Sequence, residues 1–157
     1  MSATRTMGIA VTDTGTTQQL PLGFEYHEPA SSDDEGPKVW IYVQMTGADT
    51  VIGSVCSFGD GAVTYVVQKS PANTHAGRVV GVAQHVIAQN SYGFILRRGL
   101  GLVLADSGDL TANLGMMVGD AAGTAEDAGA VTTQAFAIAT AAISAAATGN
   151  AFLNCQG

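Results

Sequence analysis

At 157 residues, 46% of them hydrophobic, the chain is long enough to bury one core and too short for two comfortable ones. Thirteen acidic residues against six basic ones give a formal charge of −7, which repels a phosphate backbone and excludes a purely electrostatic hold on nucleic acid. Only 12% of residues are charged and 20 are glycine, so the surface must be polar through hydroxyls and backbone, a composition suited to close protein contact.

Residues 1–20 are rich in Thr, Gly and Gln, with few large apolar side chains to hold them to a core. They read as an extended N-terminal arm ahead of one β-rich domain over residues 21–157. End segments are ordered only when something ties them down, and a partner is expected to hold this arm through residues such as Thr12, Thr16, Gln18 and Gln19. The segment 1–11 has one arginine and no continuous apolar run, so it does not read as a signal peptide.

Leu20–Tyr26 and Val39–Met45 read as strands on either side of HEPASSDDEGPK, a turn-forming loop. In the second strand Val39, Ile41, Val43 and Met45 share one face, while Trp40, Tyr42 and Gln44 share the other. Both faces are apolar. Such a strand is covered on two sides by its own domain or turns one side to another subunit, making Trp40 and Tyr42 either core residues or interface anchors.

Val51–Phe58 and Ala62–Gln68 flank Gly59, Asp60 and Gly61, a strong hairpin signal. Arg78–Ile87 reads as another strand. Tyr92–Ala105 reads as two short strands around Arg98 and Gly99, or one long strand bent at glycine. Arg97 and Arg98, the one adjacent basic pair, would point to opposite faces; they are interface candidates weighed against an ordinary surface salt bridge. Residues 106–130 carry five glycines among small polar residues and read as irregular loop with one short strand over Leu114–Val118. For Val131–Ala147 the residues leave helix and strand both open, alanine favouring helix. A turn at Gly149-Asn150 then leads into Ala151–Cys155.

No reactive constellation emerges. There is no GxSxG, Walker A or GxGxxG; Gly99-Leu100-Gly101 continues into Leu-Val-Leu. His27-Glu28 begins like a zinc HExxH, but Pro29 would interrupt the helix and position 31 is serine. His27, His75 and His85 read as structural. Asp33-Asp34-Glu35 and Asp106 with Asp109 lack the calcium-loop pattern and read as solvated loops. Cys56 and Cys155 are too few for a disulfide scaffold and read as two reduced thiols. The most apolar run, Ala135–Ala147, is short of the ~20 residues a bilayer needs. Neither an enzyme, a cofactor, a metal nor a membrane span is expected.

The stretch RVVGVAQHVIAQNSYGFILRRGLGLVLADSG, the later AFAIATAA and the closing FLNCQG resemble the small capsid decoration (cement) proteins of tailed bacteriophages, over residues 38–157. The matching pieces are Gly81-Val82-Ala83, Tyr92–Ala105, the loop from Gly108 to Gly129, and Phe136–Ile143. The resemblance implies a compact β-barrel or sandwich, commonly a homotrimer, bound to the outer face of the head across neighbouring major capsid protein subunits. It also tips Val131–Ala147 toward strands. The arm has no counterpart in it. The competing expectation is another virion appendage, such as a head-fibre or tail base or a trimeric adhesin module.

Overall fold

The structure, a computed structural model, describes residues 8–31, 35–59, 64–129 and 135–157. It is all β apart from one turn of 3-10 helix at Ala76–Arg78. The strands are β1 (Glu25–Glu28), β2 (Lys38–Met45), β3 (Val55–Phe58), β4 (Val66–Lys69), β5 (Val79–Val82), β6 (Tyr92–Leu104), β7 (Gly115–Val118), β8 (Ala125–Asp127), β9 (Ala137–Ala139) and β10 (Thr148–Asn154).

Two layers share one strand. β2, β4, β3, β5 and β6 follow one another and β6 pairs back onto β2, closing a small barrel. The other half of β6 carries an open sheet in the order β6, β10, β9, β7, β8. The apolar faces of β2 are explained by this arrangement. Ile41, Val43 and Met45 fill the barrel with Val67, Val80 and Ile95, while Trp40 and Tyr42 enter a second core with Phe94, Leu96, Val103 and Leu153. The barrel interior covers one face of the shared strands and the second core covers the other, so the usual polar alternation is absent there.

The strand β6 is long and bent, one of the two alternatives open from its sequence. Trp40 pairs with Leu96 and Val39 with Arg98, which makes Arg97 the extra residue of a bulge. One extra residue reverses the facing of everything after it. Even-numbered Phe94 and Leu96 therefore share a core with odd-numbered Val103. Gly99 follows at φ +108, and a Cβ there would lie 2.7 Å from the Pro37 carbonyl oxygen, so glycine is required at the bend.

The hairpin stands: β3 and β4 pair antiparallel, with Cys56 opposite Lys69, although its turn residues 60–63 lie outside the described residues. Several boundaries differ from expectation. Pro21 and Gly23 (φ +84) turn the chain, so the first strand begins only at Glu25. The strand expected over Arg78–Ile87 is confined to Val79–Val82, because Ala83 and Ile87 give their N–H groups to Ser54 and Thr50 of a loop. β8 escaped notice, being three residues long and two-thirds acidic. No helix occurs among the described residues of Val131–Ala147, where Ala137 and Ala139 point inward and Ile138 outward in strand period; residues 131–134 are outside the described set. Tertiary pairing with β10 and β7 overrides the helix preference of alanine. Gly149 and Asn150 are strand rather than turn; a Cβ on Gly149 would meet Ile143 at 2.5 Å, and the turn sits instead at Ser144–Ala147.

Candidate functional site

The outward face of the open sheet inverts the usual pattern of a wetted strand. After the bulge, β6 turns Gly99, Gly101 and Val103 inward and Leu100, Leu102 and Leu104 outward. Leu100 lies opposite Phe152 of β10, and Phe152 opposite Ile138 of β9, an apolar row across three strands. Phe152 is 55% exposed and Ile138 50%. Beside this row lies a groove of about 520 Å³ whose apolar lining is Pro37, Val39, Phe152 and Leu153, with Arg98, Lys38 and His27 at its rim. Exposed aromatic and aliphatic side chains rimmed by polar groups are the usual composition of a protein contact face.

The two arginines part at the bulge. Arg97 is ion-paired with Glu25 of β1. Lys38 is likewise paired, with Glu35 at 3.2 Å, and the Ser31 hydroxyl, together with that lysine, holds the Glu35 carboxyl below its usual range. Arg98 is exposed at the groove and has no ion pair among the described residues. On a chain of net charge −7 it is free to meet a carboxylate on a partner.

Trp40 and Tyr42 are not available as exposed anchors. They are 7% and 2% exposed, Trp40 donating its indole N–H to Glu28 at 2.7 Å and Tyr42 packing edge-on to Phe94. Packing in the second core, with Phe94, Leu96, Val103 and Leu153, accounts for the burial. Phe152 and Ile138 take the exposed place instead; in the sequence Ile138 lies between two alanines and Phe152 between Ala151 and Leu153.

The described part of the arm is tied to its own domain. Gly15 and Tyr92 exchange backbone hydrogen bonds of 3.2 and 2.8 Å, and Ile9, Val11, Leu20 and Leu22 pack half-buried against the core. No partner is needed to order residues 8–20. Thr12, Thr16, Gln18 and Gln19 are all exposed on it, Gln18 bonding Leu20 O and Gln19 donating its backbone N–H to the Tyr42 hydroxyl.

Titratable groups serve the architecture. Both ring nitrogens of His85 are buried without a partner among the described residues, and burial pushes its pKa down. His75 accepts from Gly77 N and caps the 3-10 turn. Burial pushes both free thiols, Cys56 and Cys155, up to about 12, so neither is a nucleophile near neutrality. Asp106 and Asp109 do not converge: Asp109 accepts from Ala145 N, whereas Asp106 lies with Asp120 and Glu126, their carboxylate oxygens within 4.8 Å of one another. The Asp106 carboxylate accepts from the backbone of Ser107, Asp120 and Ala121, bonds that hold its pKa down and fasten two loops. Burial, then the charges of Asp120 and Asp106, push Glu126 up.

No protein-family model matches the chain, and no curated protein matches it in sequence. A solved structure does. The fold is similar to that of the N base of head fiber gp8.5 of bacteriophage phi29, with a TM-score of 0.54 at 12% identity, covering 74% of this chain and 94% of that one. At that identity the likeness is one of fold.

Proposed function

We propose that the chain is a non-enzymatic structural component of a bacteriophage particle, a decoration (cement) protein that binds the outer surface of the assembled head. The observation that supports the coarser part of this reading, a phage structural protein, is the fold in common with a phage head-fibre base over nearly that whole base. The resemblance of residues 38–157 to capsid cement proteins supports it independently. The partner is the major capsid protein, reached as a homotrimer after synthesis in the bacterial cytoplasm, with no nucleic acid, membrane or cofactor involved. The apolar row of Leu100, Phe152 and Ile138, with Arg98 beside it, is the docking face.

The mechanism is mass action. A ligand that binds the assembled shell and not its free subunits lowers the free energy of the shell. Many copies with modest contacts reinforce a lattice through multivalency, and an acidic chain is electrostatically better placed outside the shell than against packaged DNA.

The phi29 likeness favours a second reading, a head-fibre base. Co-sedimentation of the purified chain with empty expanded heads, followed by counting copies per particle by cryo-EM, separates the two. Copies spread over the whole lattice identify a cement protein, and a few copies at restricted positions identify a fibre base. Absence of binding to any head sinks both.

A further inference from the structure

Between the arm and the barrel lies a cavity of about 410 Å³, lined by Ile9, Asp13–Thr17, Gln19, Tyr42 and Tyr92. That volume is within the roughly 300–1,000 Å³ of small-molecule sites. Its chemistry differs from that of the groove beside Phe152. Among the described residues Ile9 is its one aliphatic wall, and none of them is lysine, arginine or histidine, so they match neither a lipid chain nor a phosphate. What it offers is hydroxyls, a side-chain amide, one carboxylate and the half-exposed ring of Tyr92.

The walls are fixed without a ligand. Asp13 and Ala10 close a turn through two hydrogen bonds, Asp13 N to Ala10 O at 3.0 Å and Ala10 N to Asp13 Oδ2 at 2.7 Å. Gly15 is fastened to Tyr92 and Gln19 to the Tyr42 hydroxyl. The Tyr42 and Tyr92 rings stack at 6.3 Å and 13°, Tyr92 being the half-exposed member. Among the described residues the hydroxyls of Thr16 and Thr17 have no hydrogen-bond partner, nor has Asp13 Oδ1. Each threonine hydroxyl both donates and accepts, and the carboxylate accepts twice.

We propose that this cavity is a binding site for an uncharged polyhydroxylated ligand, a carbohydrate. Thr16, Thr17 and Asp13 meet its hydroxyls, and the Tyr92 ring covers its C–H face, using the apolar body and polar tip of tyrosine. The site does not depend on how the chain attaches to a particle.

Saturation-transfer NMR of the full chain with lactose, maltotriose, mannobiose and chitotriose tests it, with inorganic phosphate as control. Transfer to at least one saccharide is expected, with amide shifts confined to residues 9–19 and the neighbourhood of Tyr42 and Tyr92. The double variant Thr16→Val with Thr17→Val, both exposed on the arm and outside the core, should weaken binding at least about tenfold, the size of two lost hydrogen bonds. Silence from all four saccharides overturns the proposal. So do shifts centred elsewhere in the intact chain, undiminished binding by the double variant, or tighter binding of phosphate than of any sugar.

Discussion

One strand, β6, lives in two environments. In the barrel half Ile95 points into one core and Phe94 and Leu96 into the other, so large apolar side chains occupy both faces. In the sheet half glycines face the core and leucines face out. The first half satisfies itself. The second presents its larger side chains on a partly exposed face.

The contrast predicts unequal costs. Ile95→Ala in the barrel half should destabilise by about 2–5 kcal/mol through the lost burial and the cavity left behind. Leu100→Ala in the sheet half should cost well under half of that, because its side chain is only partly buried. Urea denaturation of both variants measures the difference, and equal costs would erase the distinction between the halves.

The joint between them comes next. Gly99→Ala places a Cβ against Pro37 O at a positive φ, and the expected cost is about 1–3 kcal/mol for backbone strain alone. The same measurement detects it, and a neutral result would mean that β6 bends without glycine.

Acidification probes the loop that leads from β5 into β6. His85 has its pKa lowered by burial, so its contribution to stability is intact above the ordinary value of 6.5 and is lost as pH falls from there through the folded value. The melting temperature should drop over that window, and His85→Leu should flatten the drop. Glu126 works with the opposite sign: its raised pKa means that protonation on acidification relieves its burial and its repulsion by Asp120 and Asp106. Glu126→Gln removes that offset, so the drop in that variant should be larger.

The smallest effect on stability belongs to the exposed row. Phe152→Ser should change stability by no more than about 0.5 kcal/mol, yet abolish co-sedimentation with phage heads. Deleting Met1–Gln19 removes the Gly15–Tyr92 bonds and the packing of Ile9 and Val11, so it should lower stability by more than Phe152→Ser while leaving a folded domain, and should weaken head binding. Head binding undiminished by Phe152→Ser would move the docking face elsewhere.

Much of the fold was legible before any coordinates. The hairpin of β3 and β4, the whole of β2 and the bend near Gly99 follow from local patterns of β-branched residues, an Asp-Gly step and a glycine inside an apolar run. The candidate site was less so. Trp40 and Tyr42 drew attention because they are large and aromatic, and burial in the chain's own second core removed them. Ile138, set between two alanines, and Phe152, beside the buried Leu153, gave no comparable signal.

By itself the sequence determined the class: one β-rich domain, acidic, without a recognisable reactive motif, because composition and strand period are properties of neighbours along the chain. Only the tertiary structure decided which face of each strand is covered. That depends on closure of β6 onto β2 and on the one-residue bulge at Arg97, which together determine whether an apolar side chain lies in a core or on the surface. The same holds for the alanine-rich segment, whose strand state rests on pairing with β7 and β10 and not on its own preference.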